Sequence, residues 1–246
     1  MAVGVLTACS GSSNKATATK GALILHTAGS LSACVKDVEA VAAAASDQYE
    51  GFAVDLLRDV SAGLGLSLVV KAATAAAPAG IPVGCDLLVT DPSTEPTTGV
   101  AFSAAYLPAD EALLVRKADE TIYTSLDELS ERNVGVVGKN EAAMAPAKLP
   151  KDTALQPFPD AASAVKALED RKVVAVAMSW PAAAHRVHQA PTIYAIAATV
   201  PTGRSFRFVV AAESKVLLTA LTGGLEKAQA SGAQDAAYKT WFGPKR

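Results

Sequence analysis

Apolar positions in this chain follow two rhythms, and the switch from one to the other recurs along most of its length. Short aliphatic runs of the kind that fill buried strands occupy 23–27, 66–71, 86–90, 133–137 and 173–179, with a longer one over 109–117 and another over 206–211. Helical spacing fills much of the intervening sequence. Over 48–64 it places Ala53, Leu56, Leu57, Val60 and Leu64 on one face, and Gly63 and Gly65 supply the stop. Further helices are predicted over 141–147, 161–169, 215–230 and 233–242. The fourth carries Leu218, Leu221 and Leu225 on one face, and Gly243-Pro244 ends the fifth. Ser125-Leu126-Asp127-Glu128 has the form of a capping box, in which serine and glutamate satisfy each other's backbone N–H groups. Residues 72–84 form a linker of small residues with two prolines. Strands alternating with helices predict an α/β class with mostly parallel sheets.

Composition narrows the function classes. Half of the 246 residues are hydrophobic, but alanine supplies much of that and aromatics only 5%, so the core is expected to be built from small aliphatic groups. A net charge of −2 and scattered basic residues give no electrostatic footprint for nucleic acid. No apolar stretch is long enough to cross a bilayer. His26 stands alone at the end of the first predicted strand, where it could face a cleft. His185 and His188 lack carboxylates at ligand spacing, so neither a metal nor another cofactor is expected.

A series of motifs ties the elements together. Tyr49-Glu50-Gly51-Phe52-Ala53-Val54-Asp55-Leu56-Leu57 comes first, then Asp86-Leu87-Leu88-Val89 and Ala112-Leu113-Leu114-Val115-Arg116-Lys117. Ser125 to Leu129, Val134-Gly135-Val136-Val137-Gly138 and Tyr238-Lys239-Thr240-Trp241-Phe242-Gly243 follow. In order and separation they resemble the polar-amino-acid type of bacterial extracytoplasmic solute-binding protein, over 23–243. The resemblance implies a two-lobed periplasmic binding protein-like II fold with two crossing strands. One lobe would comprise 21–108 and 204–246, the other 109–203, after a tether at 1–20. It also implies a non-catalytic, monomeric receptor that closes on a small-molecule ligand and delivers it to an ABC permease.

Ligand contacts are expected from both lobes. The first-lobe candidates are Thr90, Asp91, Ser93 and Thr94, in the loop after the 86–90 strand; the alternative is a solvated loop. Gly138, Lys139 and Asn140 form a glycine turn before a helix, suited to holding an anion or serving only as a connection. Ser179 and Trp180 end another strand, with indole stacking on a ligand set against a core role. Leu31-Ser32-Ala33-Cys34 is expected as a further cleft loop. Two departures from the amino-acid binders stand out. No arginine lies between Arg58 and Arg116 to fork onto an α-carboxylate, and Ser179 stands where they usually carry an aspartate for the ammonium. Both point away from a standard α-amino acid. Trp180-Pro181-Ala182-Ala183 is also similar to the tryptophan region of solute-binding-like proteins that accompany bacterial quinoprotein alcohol dehydrogenases. An adaptor for another envelope protein is therefore the second reading. A cyclic-carboxylate dehydratase is the third, with Asp91, Glu95 and Glu141 as available acids.

The cysteines bear on location. Leu6-Thr7-Ala8-Cys9 looks like a bacterial lipobox, followed by a small, polar tether, so Cys9 is the expected lipid attachment point. Cys34 and Cys85 remain, and the quinoprotein-associated group has counterparts of both. An oxidising compartment would join them; otherwise they are buried thiols.

Overall fold

The computed structural model describes residues 18–20, 23–45, 48–73, 80–92, 98–137 and 148–245. An antiparallel pair, β1 (Ala18–Lys20) and β2 (Leu23–Leu25), precedes β3 (Ser30–Val35). The pair β4 (Ala43–Ala45) and β5 (Gln48–Glu50) leads into α1 (Phe52–Gly63), then β6 (Ser67–Ala72), β7 (Leu87–Val89) and β8 (Val100–Phe102). After β9 (Leu107–Pro108) come β10 (Glu111–Arg116), β11 (Asn133–Val137), β12 (Ala154–Phe158), α2 (Ala161–Glu169), β13 (Ala175–Ser179), α3 (Trp180–Gln189) and β14 (Tyr194–Val200). The chain ends with β15 (Ser205–Phe206), β16 (Val209–Ala211), α4 (Lys215–Ser231) and α5 (Ala233–Phe242).

Two five-stranded sheets organise these elements, one in the order β6-β3-β7-β16-β8 and the other β12-β11-β13-β10-β14. Each has two parallel and two antiparallel pairings. The antiparallel pairings all involve β10 or β16, the strands that follow the two crossings of the chain between sheets. Those crossings, β9 and β15, pair with each other antiparallel.

Each sheet is covered on both faces. In the first sheet the main core joins Leu31, Ala33 and Val35 to Phe52, Leu56 and Leu57 of α1 and Leu221 and Leu225 of α4. On the opposite face the buried cluster among the described residues is small, made of Cys34, Leu88 and Val209. There Cys34 and Cys85 are joined as a disulfide, with Cα atoms 5.8 Å apart. The second sheet has α2 and α3 on one face and the turn at Asp127–Leu129 on the other.

Several sequence expectations change here. The first core strand is β3, not 23–27, and Leu31–Cys34 is therefore not a cleft loop. Its residues from Leu31 to Val35 are buried, whereas β2 only pairs with β1 at one side. The Asp86 carboxylate explains the join: it accepts the backbone N–H groups of His26 at 2.6 Å and Ser32 at 2.7 Å. The helix over 48–64 begins only at Phe52, because Gln48–Glu50 pairs with β4. Glu128 does reach back to the Ser125 N–H, at 3.0 Å, but the segment winds only one 3-10 turn without a side-chain cap. The strands β12 and β14 and the helix α3 lay outside the sequence expectations, and the helix expected over 141–147 lies outside the described residues.

The motifs that open and close the family-like pattern meet in space. The Trp241 indole N–H donates to Asp55 at 2.7 Å, and the Phe242 ring lies 5.4 Å from that of Phe52. Beside them α1 and α4 approach closely at Gly224. An added Cβ there would lie 2.6 Å from a Val60 methyl carbon. Gly224→Ala should therefore cost about 1–3 kcal/mol through overpacking, despite the better helix propensity of alanine. Urea denaturation would measure it, and Val60→Ala in the same chain should recover part of the loss, as contacting sites couple.

Candidate functional site between the sheets

The strand registers fix which ends of the sheets face the crossing. Leu88 lies opposite Val209, which follows β15 directly, so β7 runs toward the crossing and Thr90 emerges there. Glu111 opens β10 just after β9 and lies opposite both Ser179 and Val200. Ser179 and Thr90 thus belong to the ends of their sheets that meet at the two crossing strands. Thr90 is fully buried and Asp91 half-buried. Ser93, Thr94, Gly138, Lys139, Asn140 and Cys9 lie outside the described residues.

The backbone at this boundary is tightly fixed. The Trp180 N–H donates to the Asp110 carbonyl at 2.8 Å, which ties the start of α3 to β10. The Thr202 hydroxyl donates to the Ala109 carbonyl at 2.9 Å, and the Thr202 N–H reaches the Asp110 carboxylate at 3.3 Å. On the first sheet, the Ser103 hydroxyl accepts the Phe208 N–H at 2.9 Å. Both crossings are therefore bound to each other and to the strands they feed.

The indole of Trp180 packs against Tyr238 and Phe242 of α5, with ring centroids 6.0 and 5.3 Å away. It borders a pocket of about 500 Å³ lined by Val187 of α3, Ile196 of β14 and Tyr238 and Phe242 of α5. Trp180 thus packs on α5 through its ring and also lines this pocket. Pro181 stands in the first turn of α3, a helix-start signal hidden within what the sequence offered as a ligand motif.

Although α3 follows a strand of the second sheet, it is held against the first lobe. Ala184 belongs to the first lobe's core. Arg186 pairs with Glu39 at 2.6 Å, and the His185 ring bonds the Trp241 carbonyl at 2.9 Å. Farther along the second lobe, burial beside Glu169 pushes the Tyr194 hydroxyl up to about 12. Its partner is thus a phenol that stays neutral through the physiological range. Among the described residues, no cluster of histidine, cysteine and carboxylates is placed to hold a metal, and no helix is long and apolar enough to cross a membrane. His26 is exposed and bound through its backbone to Asp86.

One residue escaped the sequence reading. Glu111 is only 4% exposed, the single buried carboxylate among the described residues. Its signal was a charge at the head of the apolar run Ala112–Val115.

With this geometry in place, the chain can be set beside known proteins. Residues 36–244 match the family of bacterial extracellular solute-binding proteins, family 3, and the chain belongs to that family. No curated protein matches it. Among solved structures, an ancestral cationic amino acid solute-binding protein aligns with a TM-score of 0.74 at 21% identity, over 87% of this chain and 96% of that one. An ancestral arginine-binding protein bound to glutamine gives 0.64 at 23%, over 89% and 100%. An amino acid ABC transporter substrate-binding protein from Streptococcus pneumoniae Canada MDR_19A, bound to L-arginine, gives 0.66 at 19%, over 89% and 95%. The shared architecture is the two-lobed periplasmic binding protein fold.

Proposed function

We propose that this protein is an extracytoplasmic receptor that encloses a small polar solute between its lobes and presents the closed form to the permease of an ABC importer. The lobes would be 21–108 with 204–246 and 109–203. The observation that carries the reading is the pairing of β9 with β15: two short crossings join two separately cored sheets and leave their strand ends facing each other. Such a connection is built for hinge closure. Structural neighbours that bind arginine or glutamine support it. Thr90, Asp91, Ser93 and Thr94 would meet the solute from one side, and Gly138, Lys139, Asn140 and Ser179 from the other. The receptor does no chemistry and needs no cofactor. It works as a monomer held to the membrane surface through a lipid on Cys9.

Screening amino acids, amines, organic acids and cyclic carboxylates by thermal shift tests this directly. A solute at about 100 times its Kd stabilises by about 2.7 kcal/mol, which raises the Tm by about 5–10 °C in a chain of this size. Small-angle scattering with the same solute should show a smaller radius of gyration. A library that leaves both quantities unchanged would reject the receptor reading.

A further inference from the structure

We propose that the cavity between α3 and α5 is a second ligand site, which takes a flat, uncharged aromatic molecule of one or two fused rings. The inference goes beyond the receptor reading above, because none of the described solute candidates, Thr90, Asp91 or Ser179, lines this cavity. Three observations carry it. Its volume of about 500 Å³ falls in the range of small-molecule sites. Its walls are broad and mostly apolar, formed by the rings of Trp180, Tyr238 and Phe242 with Val187 and Ile196. No lysine, arginine, aspartate or glutamate is among the described residues that line it.

The walls hold one another in place. The ring centroids of Tyr238 and Phe242 are 5.2 Å apart, and both rings pack on Trp180. Phe242 is backed in turn by Phe52 of the first core. A guest therefore meets rings already braced, so binding orders few side chains. Flat aromatic molecules gain most from such walls, through apolar burial and ring contacts together. A charged molecule of the same shape would be stripped of water with no opposite charge in the walls to meet it. The nearby Lys245 ammonium, 5.3 Å from the Tyr238 centroid, already pairs with Asp235. Burial raises the Tyr238 phenol above its ordinary value, against the opposing pull of Lys245, so that wall stays neutral. The polar groups available are the Tyr238 and Thr199 hydroxyls and the His188 ring, which suit a guest with one hydroxyl or ring N–H. The strand β14 and the helix α3 fall within 109–203 and α5 within 204–246, so the guest bridges the two proposed lobes. It thereby favours the arrangement in which they meet here.

Isothermal titration calorimetry of the full chain with indole and 1-naphthol, against charged 1-naphthoate and puckered cyclohexanol, tests the assignment. The wild type should bind indole or 1-naphthol at one site, at least about tenfold more tightly than either control. Val187→Trp should fill the cavity and weaken that guest by about tenfold or more. Circular dichroism reports whether the variant folds. If it does not, the wild type decides through its two tryptophans. In proton–nitrogen spectra the Trp180 indole signal should move as the guest is added, and the Trp241 signal far less, since Trp241 does not line the cavity. No saturable binding by the wild type, equal affinity for 1-naphthoate, unchanged affinity in a folded Val187→Trp, or a stationary Trp180 signal overturns the site. Small-angle scattering with the guest bound should give a radius of gyration no larger than that of the free chain, and a larger one overturns the bridging. The receptor reading is judged separately by the solute screen, because no residue of this cavity is assigned to the solute there.

Discussion

Gly51→Ala is expected to lower the unfolding free energy by about 3–5 kcal/mol, combining backbone strain with overlap in a packed interior. Gly51 has φ +139°, a conformation that side chains with a Cβ rarely adopt. An added Cβ would also sit 2.6 Å from the Val41 carbonyl carbon and 2.8 Å from the Ala42 nitrogen. These are backbone atoms and cannot turn aside. The closeness has a purpose. Helix α1 has no side-chain cap, and its first N–H groups are met by the neighbouring loop instead. Phe52 donates to the Ala40 carbonyl at 3.0 Å and Ala53 to that of Val41 at 2.8 Å. Pushing the loop away to admit a methyl group would unmake these bonds. It would also disturb Glu39, which pairs with Arg186 across the lobes. Gly29→Ala is the control, since Gly29 also has positive φ, +74°, but has open space around it. It should cost about 1–2 kcal/mol, the penalty of the left-handed conformation alone. Urea midpoints of the two variants would separate conformation from crowding. Equal losses would mean that the loop yields and that the contact to Val41 is unimportant.

The same region shows where the sequence was readable and where it was not. Elements with strong periodicity and clear stops, such as Asn133–Val137, Ala161–Glu169 and Ala233–Phe242, are found with the bounds that their apolar spacing predicts. Ambiguity arises where long-range pairing overrides local pattern: Gln48–Glu50 continues a helical rhythm yet pairs with β4. β3 was obscured because Ser30, Ser32 and Cys34 interrupt its apolar run, although pairing on both sides makes it an interior strand. β12 is missed for the opposite reason. It is an edge strand of half-exposed residues containing Pro157, tolerated because one side of it needs no partner. At the site, the strand ends at Thr90 and Ser179 were legible because each closes an aliphatic run. Glu111 was not, because its burial arises from β13 and β14 lying on either side of β10, a register that a single sequence does not display.

Breaking the Cys34–Cys85 link is expected to destabilise the protein by about 2–4 kcal/mol, whether by reduction or in the Cys34→Ala/Cys85→Ala double variant. The two cysteines are 51 residues apart, and chain entropy for a loop of that length gives about 4 kcal/mol as the ideal value. The location argues that the protein relies on it. The main core fills one face of the first sheet with phenylalanine and leucine side chains from three helices. Among the described residues the other face buries only Cys34, Leu88 and Val209 in one cluster, so the disulfide forms a large part of it. The segment before β7 is held there by the Lys71 ammonium donating to the Gly84 carbonyl at 2.7 Å and by the disulfide. Without the disulfide, the segment before β7 is held by the Lys71 and Asp86 hydrogen bonds alone, while β7 itself stays paired with β3 and β16. Urea unfolding with and without a reducing agent would measure the effect. The double variant should match the reduced wild type and be insensitive to the reductant. An unchanged midpoint on reduction would show that this face is held without the disulfide, and would remove the physical reason for this chain to favour an oxidising compartment.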